Sequence, residues 1–198
     1  MTNILINHRN ISTLLWYLFC VLVVSIHATK NINDNFPKCK ETDFKCKYCD
    51  GYELDCSSRG ILDGMLTSPI FSLSTFVPQH TSIINLSRNE LTYLNADYAD
   101  MWVDGLNQLV LCHNNIEQIY ADSFKKLLSL EALDLSYNKI SFLQSDAFSQ
   151  LKSLQTLDLS HNLLPRIDGF WFQGPRQLIR LNLSYNKIGI FWYKSLNT

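Results

Sequence analysis

The stretch LEALDLSYNKI at residues 130–140 is followed by LQTLDLSHNLL at 154–164 and by LIRLNLSYNKI at 178–188. Two earlier stretches, TSIINLSRNEL at 81–91 and LNQLVLCHNNI at 106–116, fit the same template, so five copies start 24 or 25 residues apart. Positions 1, 4, 6 and 11 are aliphatic and position 9 is Asn in every copy, except that Thr81 replaces the first Leu. Self-similarity at this period indicates a solenoid of stacked repeats.

Each copy carries the pattern of a short strand. Aliphatic positions 4 and 6 alternate with variable neighbours, so we expect Leu133 and Leu135 to face inward and Asp134 to be exposed. No copy can bury its aliphatic face alone, and stacked copies therefore share a core beneath a parallel sheet. The Asn at position 9 is expected to bond buried backbone groups of adjacent turns. Position 19 predicts a buried aromatic spine on the convex side, made of Phe124, Phe148 and Phe172.

The first 28 residues have the layout of a secretory signal peptide. A start without acidic residues precedes an apolar run from Ile11 to Ile26, and Ala28 ends a cleavage site. An uncleaved anchor is the rival interpretation, although this run is short for a bilayer. We expect a signal peptide at 1–28, a cysteine-rich cap at 29–80 and repeats at 81–105, 106–129, 130–153, 154–177 and 178–198, the last incomplete. The mature chain is expected to be secreted, with no transmembrane segment after the signal peptide.

The cysteines divide into a cluster and an isolated residue. Four of them in an exported chain predict two disulfides and leave the pairing open, with a zinc site as the minor alternative; they are Cys39, Cys46, Cys49 and Cys56. Cys112 occupies position 7, where the other four copies have Ser. An odd cysteine predicts a reduced thiol or an intermolecular disulfide, and we expect this one to be partly exposed.

The variable positions of the strands suggest where a partner binds. Positions 5 and 8 are expected to be exposed on the concave face, and both Asn85-Leu86-Ser87 and Asn182-Leu183-Ser184 are glycosylation acceptors on its first and last repeats. Glycans there would leave the middle repeats open to a protein with a basic surface, with pH sensitivity from two histidines. The predicted partner-binding residues are Val110, His113, Asp134, Tyr137, Asp158 and His161. A net charge of -1 does not suggest a nucleic-acid surface.

Catalytic and metal motifs are missing from the sequence. Asp134 and Asp158 are expected to be neighbours roughly 5 Å apart, which is within the range of a retaining glycosidase pair. A surface column without a cleft is the preferred interpretation, so we expect no enzyme activity, no catalytic residues, no cofactor and no metal. A glycoside hydrolase remains the remote alternative.

The cysteine cluster, the stretch DCSSRGI at 55–61 and Val77-Pro78 before the first repeat resemble the N-terminal cap of extracellular leucine-rich repeat proteins. That group includes Toll-like receptors, Slit-type proteins, small leucine-rich proteoglycans and insect cell-surface receptors. The resemblance implies an α/β solenoid, a right-handed horseshoe with a parallel sheet on its concave face and a mostly irregular or short-helical convex side. It also implies pairing of Cys39 with Cys49 and of Cys46 with Cys56. Two residues between the second and third cysteines, where relatives often have one, depart from the pattern.

The resemblance implies an extracellular protein-binding module, either a secreted or matrix protein or part of a receptor or adhesion ectodomain. Relatives usually close with a C-terminal cysteine-rich cap, which this sequence lacks. Apolar residues near its end, such as Phe191 and Trp192, suggest a piece of a longer protein or an end covered by another chain, including self-association. The alternative is a truncated or short isoform with a structural role and no binding of its own.

Overall fold

The structure is a computed structural model that describes residues 3–5, 40–41, 46–49, 52–66, 77, 80–97, 102 and 104–191. A helical turn spans Asp63–Leu66 and a 3-10 turn spans Gly169–Phe172. The strands within these ranges are β1 (Asn3–Leu5), β2 (Lys40–Glu41), β3 (Lys47–Cys49), β4 (Glu53–Asp55), β5 (Ile83–Asn85), β6 (Tyr93–Leu94), β7 (Gln108–Val110), β8 (Gln118–Ile119), β9 (Ala132–Asp134), β10 (Phe142–Leu143), β11 (Thr156–Asp158), β12 (Arg166–Ile167), β13 (Arg180–Asn182) and β14 (Ile190–Phe191).

The main sheet contains one strand from each repeat, at positions 3 to 5 of the template. Its order is β1-β13-β11-β9-β7-β5-β4-β3-β2, and the repeat strands β5, β7, β9, β11 and β13 are parallel and in register. Leu133 therefore lies beside Leu109 on one side and Leu157 on the other. On the opposite side, short strands form the sheets β10-β8-β6 and β12-β14. The expected solenoid with a parallel sheet and little helix is confirmed.

The aliphatic positions form one continuous core. Both strand leucines of the third repeat, Leu133 and Leu135, are buried, as are their equivalents from β5 to β13. Position 11 closes the turn from the other side, with Ile116 and Ile140 fully buried. Stacking therefore completes the burial that a single repeat cannot achieve.

Position 9 forms a column of amides, as predicted. The Asn138 Oδ1 atom accepts the N–H of Ile116 at 3.1 Å, and its Nδ2 donates to the Leu111 and Leu135 carbonyls at 3.0 Å each. Asn89, Asn114, Asn162 and Asn186 repeat this arrangement. The amide suits this position because it accepts and donates at the same time, which satisfies backbone groups of two turns.

The aromatic spine is confirmed at two of its three positions. Phe124 and Phe148 are buried, with ring centroids 6.0 Å apart and planes inclined by 27°. Phe172 is only half-buried, and Trp171 beside it is buried and donates its indole N–H to the Leu143 carbonyl at 3.2 Å. In the first repeat, Trp102 is buried likewise and donates to the Ser123 carbonyl at 2.8 Å.

The cap continues the sheet of the repeats. Strand β4 pairs in parallel with β5 and antiparallel with β3, so Leu54 lies beside Ile84. A disulfide joins Cys46 to Cys56, which confirms one of the two implied pairs. Cys39 lies outside the described residues, so the pair that it would form with Cys49 stays a prediction.

The other edge of the sheet involves the N-terminus. Strand β1 pairs in parallel with β13, so Ile4 lies beside Leu181. The remainder of the predicted signal peptide lies outside the described residues, and its cleavage stays a prediction. Across the described ranges, no helix has the length and apolar character that crossing a membrane requires.

Candidate binding face

A ladder of four stacked rings runs along the carboxyl ends of the repeat strands. The centroid of His113 lies 4.4 Å from that of Tyr137, Tyr137 lies 4.1 Å from His161, and His161 lies 4.2 Å from Tyr185. Adjacent planes are inclined by only 10–12°. We call His113, Tyr137, His161 and Tyr185 the ring ladder.

The backbone at position 8 explains why these rings stack. Its φ angle lies between 53° and 57° in all five copies, from Arg88 to Tyr185. This left-handed conformation is uncommon for residues other than Gly, and it persists where surrounding structure enforces it. Here the Asn column and the in-register sheet set the same turn in each copy, so residues 24 apart in sequence direct their rings the same way. Because the rings cover each other's faces, the ladder presents mainly its edges, which carry imidazole nitrogens and phenol oxygens.

The side chains at position 5 are mostly buried, although the sequence predicted that they are exposed. Asn85, Val110, Asp134 and Asp158 are all buried, and only Asn182 is partly accessible. Strands about 4.8 Å apart bring these short side chains against one another. Of the six predicted partner-binding residues, the structure leaves His113, Tyr137 and His161 partly accessible, whereas Val110, Asp134 and Asp158 are buried.

The buried acids make an unusual pair. Asp134 and Asp158 lie side by side on β9 and β11, and Asp158 is 1% exposed. The Asp158 Oδ1 atom accepts the N–H of Ser160 at 2.7 Å, and its Oδ2 accepts the Asn182 amide at 3.1 Å. Burial, followed by the neighbouring Asp134 carboxylate, raises the pKa of Asp158 to about 6. The sequence predicted a surface column without a cleft, and the burial of both acids contradicts that prediction.

The ladder histidines shift in the opposite direction. Burial lowers the pKa of His113, the Arg88 guanidinium lowers it further, and Asp134 raises it. Burial also lowers the pKa of His161, with His113 as a second cause. Both rings therefore favour the neutral form, which stacks without placing a second charge beside Arg88.

A groove lies at the other end of the same strands, along positions 2 and 3. It has a volume of about 460 Å³, and Tyr52 of the cap stands among its lining residues. Asn107, Gln108 and Gln155 contribute carboxamides to it, and Glu131 contributes a carboxylate. These residues were not predicted from the sequence, because position 5 was expected to be the exposed row. The clustering of amides at positions 2 and 3 was the available signal.

The two glycosylation acceptors differ in environment. Asn85 is buried, and its Oδ1 accepts the N–H of Ser87 at 3.0 Å. Asn182 is half-buried and bonds Asp158 and Ser184. Neither residue is on an end strand of the sheet, because β4 lies beside Asn85 and β1 lies beside Asn182. Glycosylation at either residue stays a prediction.

Cys112 is buried, whereas the sequence predicted that it is partly exposed. Its side chain is 1% exposed and carries a thiol rather than a disulfide. Burial at position 7 removes the access that an intermolecular bridge needs. Separately, no cluster of three or more His, Cys, Asp or Glu side chains in the described ranges is arranged to hold a metal ion.

The repeats match a known family and known structures. The family model described as "Leucine rich repeat" matches residues 104–164 and 153–196. A structure titled as a TLR13–ssRNA13 complex is 31% identical to the chain, with a TM-score of 0.61, and covers 77% of this chain and 20% of that one. The Drosophila Toll–Spatzle complex is 28% identical, with a TM-score of 0.49, and covers 54% of this chain and 16% of that one. No curated protein sequence matches.

The likeness to TLR13 covers only part of that protein. The chain spans one fifth of the TLR13 chain, so it corresponds to only part of that protein's array. The TLR13 structure is a complex with ssRNA, so this comparison does not support the exclusion of a nucleic-acid ligand that the net charge suggested. The family match, the five-copy template and the parallel solenoid together show that the chain is a leucine-rich repeat protein related to the Toll-like receptors.

Proposed function

We propose that the chain is an extracellular protein-binding module whose ring ladder contacts the partner. The observation that carries the proposal is the continuous ladder at the rim of the sheet, which offers four aromatic edges in one line. Rigid aromatic side chains that are partly accessible provide contact area at a low entropic cost, and Tyr is enriched among residues that dominate binding. The Cys46–Cys56 disulfide supports an oxidising, extracellular location.

Charge favours a basic partner surface. Asp158, with a pKa of about 6, is ionised near neutral pH, and burial lowers the pKa of both ladder histidines and so favours their neutral form. On acidification, Asp158 takes up a proton and the histidines become charged, so the ladder region loses negative charge. We therefore expect a basic partner to bind more tightly at neutral than at acidic pH. Arg88 at the end of the ladder opposes this attraction locally, which places the best contact at the Tyr137–Tyr185 end.

Mutation of the ladder tests this proposal. Tyr137→Asn removes the central ring while keeping a residue type that tolerates positive φ. The matched control is Tyr120→Asn, which removes a Tyr of the convex side that is 38% exposed. With the purified secreted chain as bait, a direct partner should be retained by the control and lost by Tyr137→Asn. Equal retention by both variants would show that the partner binds away from the ladder. Selective capture of single-stranded RNA would show that the partner is RNA rather than a protein.

Burial weakens the hydrolase alternative. Both Asp158 oxygens already accept hydrogen bonds, and the side chain is almost completely inaccessible to a substrate. A structural role without binding remains the second candidate, and it predicts that neither tyrosine substitution alters the capture of any protein. Self-association through the last repeat also remains a proposal, which sedimentation of the purified chain would test.

A further inference from the structure

The groove at positions 2 and 3 contains amide side chains that the fold does not use. Within the described part of the chain, the side chains of Asn107, Gln108 and Gln155 make no hydrogen bond, and all three are half-buried. Their backbones, by contrast, belong to the solenoid: the Asn107 carbonyl accepts the N–H groups of Glu131 and Ala132 at 2.8 and 3.1 Å. The groove is thus a rigid surface with unused hydrogen-bonding groups.

The convex side offers a contrast. A depression of about 780 Å³ there is lined by Thr92, Asn95, Gln118 and two tyrosines, among others. Three of its polar side chains already bond within the chain: Thr92 to Asp63, Asn95 to Asp97, and Gln118 to Tyr120. Availability of polar groups therefore distinguishes the concave groove from the larger depression.

We propose that the concave groove binds an uncharged saccharide. Each carboxamide both donates and accepts, which suits hydroxyl groups that do the same. No Lys or Arg lines the groove in the described part of the chain, and Glu131 supplies a carboxylate that would repel phosphate or sulfate groups. Tyr52 adds an apolar ring face with a polar tip. The volume of about 460 Å³ lies within the usual range of small-ligand sites.

The spacing of the row disfavours an extended peptide as the occupant. Side chains at position 2 repeat with the strands, about every 4.8 Å, whereas groups on one side of an extended peptide repeat about every 6.8 Å. Successive side chains of the row therefore cannot all meet successive main-chain groups of one peptide. A saccharide has hydroxyl groups in several directions and does not require this match. The inference is independent of the ring ladder, which lies at the opposite ends of the strands.

Titration calorimetry of the full secreted chain with neutral trisaccharides tests the proposal. The probes are maltotriose, cellotriose and triacetylchitotriose, and we expect at least one to bind saturably. Gln155→Leu and Asn107→Leu remove an amide at similar volume and should each weaken that binding by about 3- to 10-fold. Gln150→Leu, an exposed glutamine of the convex side, is the matched control and should stay within about twofold.

Circular dichroism of each variant establishes that it is folded, which is expected because the removed amides make no internal bond. Absence of saturable binding for all three saccharides at millimolar concentrations would overturn the proposal. So would equal affinities for Gln155→Leu, Asn107→Leu and Gln150→Leu. Binding of an uncharged peptide that the same substitutions weaken, with no saccharide bound, would assign the groove to peptides instead.

Discussion

Two columns of buried polar side chains run through the repeats, and they behave differently. In the column at position 9, Asn138 accepts one backbone N–H and donates to carbonyls of two turns. In the column at position 5, Asp134 and Asp158 each accept the N–H of the Ser two residues later. The first column is neutral and extends through all five repeats without conflict. The second places two acids side by side, and one of them holds its proton until a pH of about 6.

The difference shows which polar groups a solenoid can repeat. An amide has a donor and an acceptor, so identical neighbours along the stack complement the same backbone pattern. A carboxylate only accepts, and a like charge on the adjacent strand raises the cost of ionising it. The buried polar side chains at position 9 are therefore stabilising, whereas the contribution of those at position 5 to stability depends on pH. Substitutions in each column test this contrast.

Removing an amide from the position 9 column should have the largest effect. Asn138→Leu leaves the Ile116 N–H and the Leu111 and Leu135 carbonyls without their partner inside the core. We expect a loss of about 3–5 kcal/mol in the free energy of unfolding, since each buried unsatisfied group costs about 1–3 kcal/mol. Urea denaturation measures it. Asn115→Leu is the control, because the Asn115 side chain makes no hydrogen bond in the described ranges; similar losses in both variants would contradict the role of the column.

Neutralising Asp158 of the acid pair should instead raise the free energy of unfolding. The folded-state pKa of Asp158, about 6, lies above its ordinary value of 3.8, so its contribution to stability is present below about pH 4 and is lost as pH rises through 6. Asp158→Asn, which copies Asn85 and Asn182, should remove this dependence and raise stability at pH 7 by about 1–2 kcal/mol. The gain is smaller than the full shift because Asn182 loses its charged acceptor.

Denaturation midpoints at pH 4, 6 and 7.5 give this measurement. The control is Asp146→Asn, an exposed carboxyl on the convex side whose change should be within about 0.5 kcal/mol. The same loss of stability between pH 4 and 6 in wild type and Asp158→Asn would mean that another group titrates.

Thr81, which replaces the Leu of the other copies at position 1, offers a smaller gain in stability. Thr81 is 1% exposed, and its Oγ1 is a buried atom with no hydrogen-bond partner among the described residues. Thr81→Val keeps the shape and removes the unsatisfied hydroxyl, so it should stabilise the chain by about 1 kcal/mol. The midpoint of thermal unfolding measures this change. Thr92→Val is the control, because it replaces an exposed threonine whose hydroxyl donates to Asp63. A lower midpoint for Thr81→Val would show that the hydroxyl is bonded in solution.

The smallest effect is expected at position 7. Cys112→Ser introduces the residue of the other four copies at a buried site, so the free energy of unfolding should change by about 1 kcal/mol or less. The native wild-type thiol should react slowly with an alkylating reagent and rapidly once the chain is denatured. Rapid native labelling, or a reducible dimer band that Cys112→Ser abolishes, would show that the site opens.

Much of this protein can be inferred from its sequence. The template determines which residues are inward, because aliphatic side chains recur with the strand period and with the repeat period at once. It also determines the Asn column, since only a residue that donates and accepts can serve two turns. The cap pair Cys46–Cys56 followed from resemblance to relatives and was confirmed by the fold.

Only the tertiary structure decided what the concave face presents. Alternation indicates that Asp134 and Asp158 point away from the core, but their burial depends on how closely the neighbouring strands approach them, which no single repeat encodes. The ring ladder likewise exists because five identical turns with positive φ align residues 24 apart. The sequence thus determined the register of the stack through its period. Lateral packing between copies determined which side chains remain accessible to a ligand.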